Sequence, residues 1–260
     1  MRTSKLFLIL AVLMITSLSF WYFKDFSATK AEEISTDAIA IRVMPNSEHF
    51  SPLRWYRANV KNQGTPQNLT VDGYEAVRDG RTVYVNAANL AGGAFFTNIY
   101  LMSYSQEAQK ATEDIFGQLS DHWKFNINLS RGEKTNARND TKRLADLSEM
   151  NLALTNYKNQ HNGQVPALES GSYVAGKSIS KWPSWQATLG AQLGINLPFD
   201  PTNQLADCPG YADKATCWDQ NNKTFYFNFS DNKSDAKAIA NSAVYWYADG
   251  AFHVNLKTDY

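Results

Sequence analysis

Two cysteines, four histidines and a group of loop tryptophans are the side chains here with the widest chemical reach. Cys208 and Cys217 lie within DCPGYADKATCW, a spacing wider than the CxxC of a redox pair. A zinc site would need two more ligands near by, which the scattered His49, His122, His161 and His253 do not supply. In an oxidising compartment the pair reads as a disulfide closing a small surface loop, contributing about 2 to 3 kcal/mol in the chain-entropy model. His161 and His253 are the candidates for a general base. His161 stands at a helix end beside Asn162-Gly163, where an imidazole meets the carbonyl end of the dipole, and His253 lies on a strand beside aromatics. Ser51, Ser120 and Ser184 lack Gly-x-Ser-x-Gly surroundings, and Gly92-Gly93 lacks the strand, turn and helix of a phosphate cradle. Paired carboxylates for glycosidic chemistry are placed by a fold, so their spacing along the chain decides nothing. No catalytic residue is therefore assigned, and the chain is not expected to be an enzyme. Trp182, Trp185 and Trp218 would suit an adhesive or carbohydrate-stacking patch; the competing reading has them filling a core or covering a sheet face.

Where such groups would work depends on the N-terminal run Leu6 to Phe23, LFLILAVLMITSLSFWYF, which holds no ionisable side chain. As a helix it would reach roughly 27 Å, close to the hydrocarbon thickness of a bilayer. Arg2 and Lys5 before it favour keeping that end in the cytoplasm and sending the bulk of the chain across the membrane. The expectation is a single-pass anchor over residues 1–24, with the bilayer as a partner through residues 6–23. A removed signal peptide is the alternative, with a secreted product; Thr29-Lys30-Ala31 makes a poor cleavage site. A formal net charge of zero gives no lean toward nucleic acid, which is not an expected partner.

The elements that must position these groups fall into two units. A polar tether over 25–37 leads into an α+β unit over 38–128. It opens with the strand Ala38 to Val43 and a helix starting at Ser51-Pro52, with Ser at the cap and Pro at the first turn. After a loop rich in Gly64, Pro66 and Asn68, a hairpin turns at Asp79-Gly80 in the type I′ manner. A strand Phe95 to Tyr104 precedes a helix Gln106 to Trp123, with Ala108, Ala111, Ile115, Leu119 and Trp123 as its stripe.

The polar stretch 129–139 is the expected linker, and Asn139 or Asp140 the cap of a helix running through His161. That helix places Leu144, Leu147, Met150, Leu154 and Tyr157 on one face, with Lys142, Arg143, Asp146, Glu149 and Lys158 elsewhere, and Asn162-Gly163 ends it. A three-stranded meander, Thr224 to Phe229, Ala243 to Ala248 and Ala251 to Leu256, would cover the stripe, its last turn at Asp249-Gly250. Alternation puts Val244, Trp246 and Ala248 on one face and Tyr245 and Tyr247 on the other.

Two resemblances follow from these residues. Phe116, Leu119, Trp123, Lys124 and Phe125 look like the closing helix and strand of PsbP-like α/β domains, which implies a scaffolding or binding module. Arg143, Leu144, Asp146, Leu147, Leu154, Tyr157, Asn162, Gly163 and Pro166, followed by Leu197-Pro198-Phe199-Asp200-Pro201, resemble the head domains of type IV pilins and the type II secretion major pseudopilin. That resemblance implies a pilin-like domain over 140–260 and raises a calcium loop, for which Asp200, Asp219, Asp231 and Asp235, with Asp213 beside them, supply oxygen donors; Lys223 and Lys233 stand where an alternating ligand run would want oxygen. Residues 6–23 carry neither the pilin Glu nor its processing site, which removes the usual route of polymerisation. The expected fold is thus α+β: one N-terminal transmembrane helix, a sheet-and-helix domain, then a pilin-like helix on an antiparallel meander. The expected function is that of a membrane-anchored extracytoplasmic structural or interaction protein at the cell surface, associated with a pilus or secretion system and its proteins. The alternative is an exported ligand- or carbohydrate-binding protein or hydrolase with a site between the two domains.

Overall fold

Turn chemistry sets the register of the first sheet. A computed structural model describes residues 37–91, 94–168, 172–226 and 241–258. Strands β1 (Ile39–Pro45), β2 (Gln67–Val71), β3 (Tyr74–Asp79), β4 (Thr82–Ala91) and β5 (Ala94–Tyr104) form one antiparallel sheet in the order β1-β5-β4-β3-β2. Asp72 and Gly73, at φ 49° and 78°, make the two-residue loop that pairs Val71 with Tyr74, a type I′ pattern. At the next turn Asp79 pairs with Thr82, so Gly80 (φ 54°) and Arg81 form the loop, one residue later than the expected Asp79-Gly80 turn. Glycine in the first central position suits a type II′ turn. Asp79 is kept in the strand, where its carboxylate accepts from Tyr56 Oη at 2.6 Å and from the Gly64 amide at 3.2 Å.

Alternation along the strands loads both faces. Tyr74, Ala76, Val83, Val85 and Met102 pack with Phe116 and Phe125 on one side, while Val77, Tyr84 and Ile99 meet Trp55 and Tyr56 of α1 (Pro52–Asn59) on the other. Ser51 caps α1 as expected, its Oγ accepting from the Arg54 amide. Helix α2 (Lys110–His122) turns a different face inward from the one its spacing suggested. Phe116 is buried and Ile115 is 57% exposed. The helix gains most by burying its largest ring against the sheet, and Phe116 sits edge-on to Tyr104 of β5 with centroids 5.1 Å apart.

Helix α3 (Arg131–Gln160) corrects the expected linker. Ser130 caps it, with Ser130 Oγ accepting from the Glu133 amide and Glu133 Oε2 accepting from the Ser130 amide. This Ser-x-x-Glu box starts the helix well before Asn139 or Asp140, so most of 129–139 is helical and Asp140 is interior. The polar first turns are held by tertiary contact, since Ala137 is fully buried in the first core. Asn162 (φ 54°) and Gly163 (φ 83°) end the helix as expected, with the Gly163 amide donating to Lys158 O.

The second sheet is smaller than the expected meander and differs in its first strand. Its order is β10-β9-β6, with β6 (Ser178–Ile179), β9 (Trp246–Ala248) and β10 (Ala251–His253), and Asp249 (φ 53°) and Gly250 (φ 77°) form the β9–β10 turn. Strand β8 (Thr224–Phe225) pairs instead with β7 (Trp218–Asp219), because Asp219 Oδ1 accepts from the Asn221 amide and folds the chain back there. Residues 227–229 lie outside the described residues. The two sides of the strand around 245–248 separate as the alternation indicated: Tyr245 and Tyr247 join Met150, Leu154 and Trp185 against α3, whereas Trp246 and Ala248 join Ile179, Trp182 and Cys217. A π-helical turn, Trp185–Gly190, runs into the short α-turn Ala191–Leu193 beside α3.

The α+β class stands with antiparallel sheets, and the single transmembrane helix included in the expected fold is corrected: among the described residues no helix is long and apolar enough to cross a membrane. The apolar run 6–23 and the tether up to residue 36 lie outside those residues.

Candidate functional site

Helix α3 buries three charged side chains at three-residue spacing, Asp140, Arg143 and Asp146, each under 9% exposed. Helical spacing sets Arg143 and Asp146 off the apolar stripe, and tertiary packing buries them all the same. The guanidinium of Arg143 donates from Nε to Asp200 Oδ2 at 2.6 Å, from Nη2 to Asp200 Oδ1 at 2.9 Å and from Nη1 to Asp140 Oδ1 at 2.7 Å. Burial opposes its charge, but the two carboxylates more than offset this and raise its pKa further above the usual range. Asp140 also accepts from the Lys257 and Thr258 amides and from Thr258 Oγ1, which ties the C-terminal segment to the helix.

One turn further, Asp146 Oδ2 accepts from Tyr245 Oη at 2.7 Å and Oδ1 from Lys142 Nζ at 3.1 Å. The same Lys142 donates to Glu75 Oε1 of β3 at 2.8 Å. Burial lifts the Asp146 carboxyl to about 6 against the pull of Lys142. Burial and the neighbouring Asp146 charge push the Tyr245 hydroxyl upward. Near the helix start, Arg138 donates to Asp72 Oδ1 at 2.7 Å, and Asp72 Oδ2 accepts from the Phe125 amide. Burial alone would raise the Asp72 pKa; the Phe125 amide and Arg138 outweigh it and hold it low. Segment 48–54 closes on the other side of α3, with Arg54 Nη1 donating to Ser148 O and Ser51 Oγ to Glu149 Oε1. These contacts join both sheets to one helix.

Two grooves beside this spine bear on the site. One, about 550 Å³, runs between Ser51, Pro52 and Leu53 and the sheet residues Asn68, Thr70, Glu75 and Val77. The other, about 400 Å³, lies between segment 47–54 and α3, where Glu48, His49, Phe50 and Arg54 face Leu147, Ser148, Asn151 and Leu152. Asp146 lines neither, so its raised carboxyl is not presented to a ligand there. His49 was not singled out from the sequence. Thr97 Oγ1 donates to Asn46 O at 2.9 Å, so His49 Nδ1, 2.9 Å from the same hydroxyl, is assigned as the donor and Nε2 as the free acceptor. Burial lowers its pKa, against the opposite effect of Glu48.

The residues singled out from sequence are dispersed. Cys208 and Cys217 form a disulfide beside Trp182, Ile179 and Trp246. Trp185 is fully buried in the core under α3, with Nε1 donating to Pro198 O, and Trp182 is 2% exposed, with Nε1 donating to Thr216 O. Neither ring can stack on an external ligand. Trp218 is half-buried and lies over Tyr173, centroids 5.5 Å apart at 27°. Asp200 gives both oxygens to Arg143, and a cation would have to displace that guanidinium. Asp219 is buried, accepting from Asn221, Asn222 and Tyr226; burial raises its pKa, but these bonds outweigh that and hold it low. Asp231 and Asp235 lie outside the described residues. Among the described residues no three His, Cys, Asp or Glu side chains converge on a metal position. His161 Nδ1 lies 2.8 Å from Tyr157 O at the helix end, its ring stacked on Tyr157, and His253 is stacked on Trp246.

No protein-family model matches this chain, and no curated protein or solved structure shows significant similarity to it.

Proposed function

We propose that this chain is an extracytoplasmic interaction protein, a structural component of a surface or secretion-associated assembly. One observation carries the reading: the charges of α3, buried at Asp140, Arg143 and Asp146 and partly exposed at Lys142, are spent on joining two sheets, the 200-turn and the C-terminal segment to a single helix. A polar network of this kind defines the geometry between the elements it joins, which is what a scaffold presenting surface grooves requires. The disulfide supports an oxidising address. The resemblance of the α3 region to pilin heads agrees with the same role.

Photo-cross-linking in the producing cells tests this, with a benzophenone amino acid at Asn68 or at Asn151. The expected result is a discrete protein adduct from a groove position and none from Ile127, an exposed site that lines neither groove. Adducts to no protein from either groove would overturn the proposal.

A second reading, an exported ligand- or carbohydrate-binding protein or hydrolase, is favoured by His49 in the groove between segment 47–54 and α3. Saturable stabilisation by one sugar, abolished by His49→Gln, would support it over the first.

A further inference from the structure

Strand β2 ends the five-stranded sheet, and its outer edge has no paired strand among the described residues. The closing pair Val71–Tyr74 of a two-residue hairpin exchanges both main-chain bonds, and alternation then assigns Leu69 and Gln67 to β3 as well. The amide and carbonyl of Asn68 and of Thr70 therefore point outward. Edge strands are commonly guarded by charge or proline. Here the opposite edge, β1, has Arg42 at its centre and Pro45 at its end, whereas Gln67–Val71 has neither within it.

The groove of about 550 Å³ lies on the face of β2 that carries Asn68 and Thr70. An added strand would direct every second side chain to that face. Its walls include Pro52, Leu53 and Val77, and the one ionisable lining residue is Glu75, whose side chain is 44% exposed. Lys142 is shared between Glu75 and Asp146, so two carboxylates meet one ammonium and the cluster keeps a negative charge when both are ionised. An apolar stem with a cationic end fits these walls. A second copy of β2, with the sequence QNLTV, carries no such side chain.

We propose that the β2 edge takes an extended peptide as a sixth strand, with a Lys or Arg side chain of that peptide entering the groove against Glu75. The proposal rests on the interaction-protein reading and names its partner chemistry. Fluorescence anisotropy of the full chain with fluorescein-labelled TVTKTVT and its TVTETVT twin tests it. The lysine probe is expected to bind at least about tenfold more tightly, since the glutamate twin sets like charge against Glu75. Glu75→Gln should reduce that ratio to less than about threefold. Thr70→Pro removes an outward-facing donor and exchanges one groove-lining side chain while keeping the β3 bonds, and should lose binding of the lysine probe by about tenfold or more, whereas Thr70→Val, which changes the side chain and keeps the donor, should retain it. Absence of saturable binding, equal affinity for the two probes, or full affinity in Thr70→Pro would overturn the proposal. A dimer in sedimentation that Thr70→Pro abolishes would also overturn it, by placing a second copy on the edge. If cross-links from the grooves persist while the probes fail, strand addition alone falls and the interaction reading stands.

Discussion

Tyr245 donates its hydroxyl proton to Asp146 over 2.7 Å, inside the core where the second sheet meets α3. The pair is 99 residues apart in the chain, and Lys142 links the same carboxylate to Glu75 of the first sheet. Asp146 is thus where both sheets reach the helix through hydrogen bonds. Its protonation state bears on how well they are held.

Because burial raises the Asp146 pKa to about 6, the folded chain binds that proton more tightly than the unfolded chain does. The associated stability is fully present below about pH 4, the unfolded carboxyl value, and is lost as the pH rises through about 6, on the order of 3 kcal/mol in all. Urea unfolding of the parent and of Asp146→Asn between pH 4 and 7 should show the parent's stability falling relative to the variant across that window. A difference that stays constant with pH would remove Asp146 as the titrating group.

Arg143 is the single cation shared by Asp140 and Asp200. Arg143→Met should leave two buried carboxylates without their counter-ion and cost about 3 to 5 kcal/mol. The denaturation midpoint is expected to drop with an unchanged m-value. A loss below about 1 kcal/mol would mean that water replaces the guanidinium.

Tryptophan substitutions should divide by burial. Trp185→Ala empties a fully buried site and should cost about 3 to 5 kcal/mol, whereas Trp218→Ala, on the half-buried Tyr173 stack, should cost roughly 1 kcal/mol. Thermal unfolding distinguishes them. Equal losses would contradict the core placement of Trp185.

Reduction of the Cys208–Cys217 bridge should destabilise the folded chain by about 2.5 kcal/mol, the entropy of releasing a short loop. The double variant Cys208→Ser/Cys217→Ser should match the reduced parent and be insensitive to dithiothreitol. A parent whose melting point does not respond to the reductant would contradict a closed bridge.

Features governed by neighbouring residues were legible in the sequence. Asp249-Gly250 and Asn162-Gly163 adopt positive φ where a turn and a helix end require it, Ser51-Pro52 opens α1, and alternation separates Tyr245 and Tyr247 from Trp246 and Ala248. Each rests on steric or hydrogen-bonding preferences acting over a few residues. Strand β2 was missed because Gln67–Val71 is short and only Leu69 and Val71 in it are apolar, too brief a pattern to stand out after the loop of Gly64 and Pro66. The start of α3 was missed because its first turns carry no apolar stripe and only the Ser130–Glu133 box marks them. The candidate site depended on tertiary structure altogether. Asp140 reads locally as a helix cap and Arg143 and Asp146 as charges off the apolar stripe, and their burial is tolerable only because Asp200, Tyr245 and the Lys257–Thr258 amides arrive from distant parts of the chain. Local pattern carries no information about a partner brought in by folding, so the sequence determined where the chain turns, and the packing decided which charges it could bury.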